Sequence, residues 1–169
     1  MSDGYAGDDF DRAVALVSAE RSPRGLVERL GVDWDYLTWL GLDASAAVLG
    51  EQGEERGIVV SYAAEAFTAG FLIGAHLLPD PRLAPERLGA AVDEVQVRGR
   101  HAVIADHCDL ASVGRLETVY SDALVESMDI PAVERPALRA PVTRVFEAGL
   151  AVGLELRSGS DGGGSAGEA

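Results

Sequence analysis

Residues 67–77 read FTAGFLIGAHL, and residues 146–156 read FEAGLAVGLEL. Both fit the frame F-x-A-G-(F/L)-x-(I/V)-G-x-x-L, and the two copies are 79 residues apart. A glycine inside a helix costs about 1 kcal/mol relative to alanine, so two glycines four residues apart in each copy need a compensating gain. Close approach of another helix supplies such a gain, because the glycines leave a stripe without side chains. The repeat therefore predicts two long core helices that pack on each other or on a symmetry mate, through Gly70, Gly74, Gly149 and Gly153.

The sequence around these frames predicts an all-α fold. Apolar residues recur at helical spacing, and proline, glycine and aspartate stand where helices begin or end. We expect one helical bundle over residues 8–157, with its long glycine-striped helices at about 54–78 and 141–157. Pro141 is expected to begin the second of them. Outside the two frames, the halves compared at the same offset share only scattered apolar matches.

Several shorter features complete this prediction. Residues 1–7 and the Gly/Ser/acidic tail 158–169 have little to bury and are expected to be disordered. Gly31 is expected to stop a short helix, and Gly41 to end the helix that Asp33 caps. Arg98-Gly99-Arg100 interrupts a later helix. The segments 95–97 and 101–104 are the only places where a short strand is conceivable.

The charge of the chain is unusual. All 14 basic residues are Arg, and 28 carboxylates leave a net charge of −14. This balance resembles the composition of proteins from halophilic archaea that accumulate salt, where hydrated carboxylates keep proteins in solution; the alternative is an acidic protein from a GC-rich bacterium. An acidic surface disfavours binding to nucleic acid or to anionic membranes.

The cellular location is predicted from the absence of a possible disulfide and of a signal segment. Cys108 is the only cysteine, so an intrachain disulfide is impossible and a reducing compartment is consistent. The acidic N-terminus carries no apolar signal segment. The apolar run 58–78 is long enough to cross a bilayer, but Glu65 near its middle and its charged sister helix favour a buried helix of a soluble protein. We therefore expect a cytoplasmic protein.

Residues 22–41 are similar to the turn and second helix of helix-turn-helix domains. Leu26 and Leu30 are apolar anchors, Gly31 stands at the turn, and the next helix has an apolar face of Tyr36, Leu37 and Leu40. The positions that would face the DNA groove carry no Arg, Lys, Asn or Gln to read bases or to hold phosphate; they are Asp33, Trp34, Asp35, Thr38 and Trp39. A helical corner used for packing is the preferred interpretation, with Trp34 and Trp39 as core or interface aromatics.

A second cluster, at residues 101–109, collects groups that can bind zinc or iron: His101, Asp106, His107 and Cys108. Their spacing matches no established ligand motif, because adjacent side chains on a helix point in different directions. Ordinary polar residues at a helix boundary are the preferred interpretation.

Glu65 is the remaining unusual residue, since it is ionisable and lies in an apolar helix. The repeat places Arg144 at the matching position of the sister helix, and we expect the two to form an ion pair.

The sequence contains no catalytic motif or cofactor-binding fingerprint that would support an enzymatic function. We predict a non-catalytic helical module that acts through self-association, as a homodimer, or by binding another protein, with no cofactor, nucleic acid or membrane involved. The alternatives are a helix-turn-helix transcriptional regulator that uses residues 22–41 and a metal-binding protein or enzyme that uses residues 101–109.

Overall fold

The computed structural model describes residues 12–13, 15–16, 19, 23–49, 56–77, 84–108, 111, 113–115, 132–133 and 135–158. Six α-helices are defined in these residues: α1 Pro23–Arg29, α2 Trp34–Leu49, α3 Arg56–Leu77, α4 Leu88–Arg98, α5 Arg100–His107 and α6 Arg135–Ser158. A 3-10 turn at Pro85–Arg87 precedes α4. The described part of the chain contains no strand, and the predicted all-α bundle is confirmed. Residues 1–7 and 159–169 lie outside the described residues.

Helices α3 and α6 pack closely along the glycine seam, which consists of Gly70, Gly74, Gly149 and Gly153. A Cβ atom on Gly74 would lie 2.5 Å from the carbonyl oxygen of Leu150 and 3.0 Å from the amide nitrogen of Leu154. Gly153 stands in the matching position against the carbonyl oxygen of Phe71. Since later residues of one helix face later residues of the other, the two helices are parallel and in register. Backbone meets backbone at the seam, and this contact explains why glycine recurs there.

The long helices differ slightly from their predicted bounds. Helix α3 covers Arg56–Leu77 of the expected 54–78, and residues 54, 55 and 78 lie outside the described residues, whereas α6 begins at Arg135 rather than at Pro141. Pro136 is a suitable residue for the first turn, because the amide it lacks would have no partner there. Pro141 lies inside the helix and removes one backbone hydrogen bond. Packing of α6 against α3 offsets this loss, so the expectation that Pro141 starts the helix was wrong.

Gly41 does not end its helix, which continues to Leu49. A Cβ atom at Gly41 would lie 3.1 Å from the carbonyl oxygen of Ala64 and 3.4 Å from the Cβ of Phe67. Gly41 therefore lets α2 approach α3 closely and has no role as a helix stop.

Gly31 and Gly99 do interrupt the helices, as predicted. Both have positive φ angles, 75° and 87°, which glycine adopts without the strain that a side chain would bring. Gly31 follows α1, and Gly99 separates α4 from α5. The segments 95–97 and 101–104, considered above for a strand, are helical.

The two halves of the chain repeat the same order of helices. In the first half, described helical residues at 12–13, 15–16 and 19 precede α1, α2 and α3. In the second half, α4 and α5 are followed by described helical residues at 111 and 113–115 and then by α6. The buried pair Leu26 and Val27 of α1 matches the buried pair Val103 and Ile104 of α5, 77 residues later. Connections of slightly different length shift the offset between elements, which hides the repeat from a comparison at one fixed offset.

The predicted pair between Glu65 and Arg144 is not formed. Both side chains are exposed, and no salt bridge joins them. Glu65 lies five residues before Gly70, which is about 140° around the helix from the seam. In a parallel, in-register pair of helices, side chains at matching positions that lie so far around the helix from the contact are directed to opposite sides of the pair. Partial burial raises the pKa of Glu65 above its usual range.

The core surrounds the seam. Phe71, Leu72, Phe146, Leu150 and Leu154 are among the largest fully buried side chains. Of the described helices, none combines the length and the apolar character that crossing a bilayer requires.

Candidate functional site

The corner between α1 and α2 is built much as the helix-turn-helix resemblance predicts. Asp33 lies before α2, and its Oδ1 accepts a hydrogen bond from the amide of Tyr36 at 2.8 Å. This is the bond of a helix cap. Leu37 is completely buried and fixes one side of α2 in the core. The opposite side of α2 is left to solvent.

That solvent side carries the α2 aromatic face, which consists of Tyr36, Trp39 and Leu42. Their exposed fractions are 40%, 56% and 37%. The rings of Tyr36 and Trp39 are stacked, with centroids 6.1 Å apart and planes 11° from parallel. Trp34, the other tryptophan named from the sequence, is half-buried and packs against the core. The two tryptophans therefore have separate roles, and only Trp39 offers an open ring.

Two carboxylates flank this face. Asp35 lies four residues before Trp39 and Asp43 four residues after it, so the three side chains form one row along the helix. Both aspartates are exposed, and neither forms a salt bridge within the described residues. The nearby cation Arg24 donates from its Nε to Oε1 of Glu28 at 2.8 Å, and its charge also attracts Asp35. The row is thus an aromatic ring between two exposed carboxylates.

The sequence of the second half does not repeat the residues of this surface. Leu37 and Val113 are both buried and occupy matching places after Asp33 and Asp109. In this alignment, the residues that match Tyr36, Trp39 and Leu42 are Ser112, Arg115 and Thr118. Those that match Asp35 and Asp43 are Ala111 and Val119. The buried position is thus kept, whereas the residues at the other five matched positions differ in sequence.

The α2 aromatic face also has the wrong chemistry for reading DNA. Asp35, Trp39 and Asp43 present two negative charges and an apolar ring where a recognition helix presents cations or amides. A phosphate backbone is repelled by these carboxylates.

The four residues weighed as metal ligands have separate surroundings. His101 Nε2 is 2.8 Å from Glu147 Oε2, while Asp106 accepts a hydrogen bond from Arg98. His107 is half-buried, and burial lowers its pKa although Glu155 and Asp106 favour its charged form. Cys108 is buried at the end of α5. In the described part of the chain, no three His, Cys, Asp or Glu residues are grouped so that they could hold a metal ion.

A buried carboxylate on α6 holds α5 in place. Glu147 is only 8% exposed, and its Oε2 accepts from Arg100 Nε at 2.6 Å as well as lying beside His101. Charge-assisted hydrogen bonds of this kind are shorter and roughly twice as strong as those between neutral groups. The sequence offered no signal for this cluster, because only the folded chain brings residues 46 and 47 positions apart together.

The exposure of Tyr36 and Leu42 was not predicted from the sequence. Helical spacing placed Tyr36 on the same side as the core residues Leu37 and Leu40. The row of Asp35, Trp39 and Asp43 was the available signal, because a core stripe does not place carboxylates one turn on either side of its aromatic residue.

The chain matches no protein-family model, no curated protein and no solved structure.

Proposed function

We propose that this protein is a non-catalytic helical module that binds another protein through the α2 aromatic face. The observation that carries the proposal is the stacked pair of Tyr36 and Trp39, which stands open to solvent on a helix whose other side is fixed in the core. Tryptophan and tyrosine contribute most of the binding energy in many protein interfaces. A rigid, preformed pair loses little conformational entropy when a partner covers it.

A second copy of this chain is a less suitable occupant than a different protein. The glycine stripes, which could have joined two copies, are used within one chain by α3 and α6. Two copies that each carry a charge of −14 also repel each other, except where salt screens them.

The partner can be identified with a photo-reactive amino acid in place of Leu42, followed by mass spectrometry of the cross-linked product. The purified partner is then titrated into the full chain. We expect Trp39→Ala to raise Kd at least about tenfold, because a central aromatic anchor contributes about 2 kcal/mol or more.

Val97→Ala is the matched control. Val97 is 84% exposed on α4, so it tests truncation of an exposed apolar residue away from the proposed surface. Equal Kd values for the two variants would contradict the proposed docking surface. A dimer that dissociates on Trp39→Ala in sedimentation equilibrium would assign the face to self-association instead.

A further inference from the structure

The chemistry of the α2 aromatic face narrows the class of partner, and this step rests on the function proposed above. We infer that the face receives an arginine-bearing segment of the partner protein, with a guanidinium group over Trp39 between Asp35 and Asp43.

The first support is the geometry of the row. Asp35, Trp39 and Asp43 follow one another at intervals of four residues and therefore project from one side of α2. A cation over the face of an indole ring is attracted by its electron density, and Trp is the best aromatic residue for this contact. Arginine is the cation best suited to it, because its planar group stacks on a ring while its N–H groups reach carboxylates.

The second support is the charge around the row. Helix α2 has no Lys or Arg at any position between Trp34 and Leu49. The chain as a whole carries a net charge of −14, and a net negative charge attracts a basic segment and repels an acidic one.

The third support is the comparison within the chain. The residues that match Asp35, Trp39 and Asp43 in the sequence of the second half are Ala111, Arg115 and Val119, so the aromatic residue and both carboxylates are absent there together. Their joint presence on α2 is what a cation-binding site requires.

The test uses the full chain and three peptides of the form acetyl-Gly-Xaa-Gly-Xaa-Gly-Xaa-Gly-amide, in which Xaa is arginine, lysine or citrulline. Citrulline keeps the shape of arginine and removes its charge. Isothermal titration calorimetry measures the affinity of every protein, including variants without Trp39. The NMR shift of the Trp39 indole N–H, assigned with Trp39→Phe, reports the place of binding in the proteins that keep this residue. We expect the arginine peptide to bind and the citrulline peptide to bind at least tenfold more weakly.

Two sets of variants locate the binding. Loss of a cation–π contact of about 0.5–2 kcal/mol predicts that Trp39→Ala weakens binding of the arginine peptide roughly two- to thirtyfold. The double variant Asp35→Asn/Asp43→Asn should weaken it several-fold, whereas Asp93→Asn, an exposed carboxylate on α4, should leave it unchanged. Thermal melts of each variant check that the fold is intact.

The outcomes separate this inference from the function it rests on. Equal binding of the arginine and citrulline peptides would overturn the cationic partner and leave the docking surface standing. Arginine binding that survives Trp39→Ala would overturn the site. If a cross-linked partner binds through Trp39 but contacts it without a basic segment, the docking function is retained and the arginine inference fails.

Discussion

The first and second halves of the chain repeat one order of helices, yet one helix of the first half carries exposed residues that the matching sequence does not repeat. Leu37 in α2 and Val113 in the second half are both buried. Two residues further on, Trp39 stands exposed in the first half and Arg115 is exposed in the second. The shared order of helices therefore accounts for the buried residue and leaves the exposed tryptophan unexplained. Surface that differs between matched halves is where a specific function is most easily found.

The largest loss of stability is expected at the glycine seam, which is the feature that the two halves share most closely. Gly149→Ala would place a Cβ against the carbonyl oxygen of Phe67, which belongs to the backbone and cannot move aside alone. We expect a loss of more than about 2 kcal/mol of unfolding free energy, since overpacking forces the helices apart. Chemical denaturation measures it.

Gly114→Ala is the control for that substitution. Gly114 is helical, and an added Cβ would meet nothing within 4 Å. The variant should be neutral or gain up to about 1 kcal/mol from helix propensity. If both alanine variants unfold at the same denaturant concentration, close contact at the glycine seam does not determine how α3 packs against α6.

Glu147 marks the next difference between the halves, because the matching residue in α3 is Thr68. Glu147→Gln should cost about 1–3 kcal/mol, since the buried carboxylate accepts charge-assisted bonds from α5. Glu28→Gln, which breaks an exposed pair with Arg24, should change the unfolding free energy by less than about 1 kcal/mol. Equal costs for the two variants would show that Glu147 does not anchor α5.

Salt should stabilise the whole molecule, and the more acidic first half most. Raising KCl from 0.1 to 3 M screens the net charge of −14. We expect the thermal midpoint to rise by at least about 2–4 °C, equivalent to about 1 kcal/mol in a chain of this size. Circular dichroism gives the midpoint. An unchanged midpoint would remove the argument for a halophilic source.

A smaller effect should follow pH. Burial lowers the pKa of His76, and the neighbouring charges of Arg157 and Arg29 lower it further. The unfolded chain then takes up a proton near pH 6.5 that the folded chain resists, so stability is lost as the pH falls below that value. His76→Gln should reduce the loss between pH 7.5 and 5.5. An identical pH dependence in both proteins would contradict this account.

The sequence was sufficient to predict the helical class, the two long helices and the glycines between them, because backbone contact leaves a spacing that can be read directly. It was insufficient for Pro141 and Gly41, where local preference is outweighed by packing against α3. The prediction of a Glu65–Arg144 ion pair was wrong for a related reason, since the repeat identifies matching positions but not the directions in which their side chains point. For the site, Trp39 was recognised, whereas Tyr36 was placed on the core side and the Glu147 cluster depends on contacts that only the tertiary fold creates.

The central claim is that α2 has one side for folding and another for binding, and urea unfolding of two nearby variants tests it most directly. Trp39→Arg introduces the residue type that the second half carries, and we expect an unfolding free energy within about 0.5 kcal/mol of the parent. Leu37→Ala empties a fully buried site on the same helix and should cost about 2–5 kcal/mol. A loss for Trp39→Arg as large as that for Leu37→Ala would show that Trp39 stabilises the fold, and it would contradict the assignment of this face to a partner.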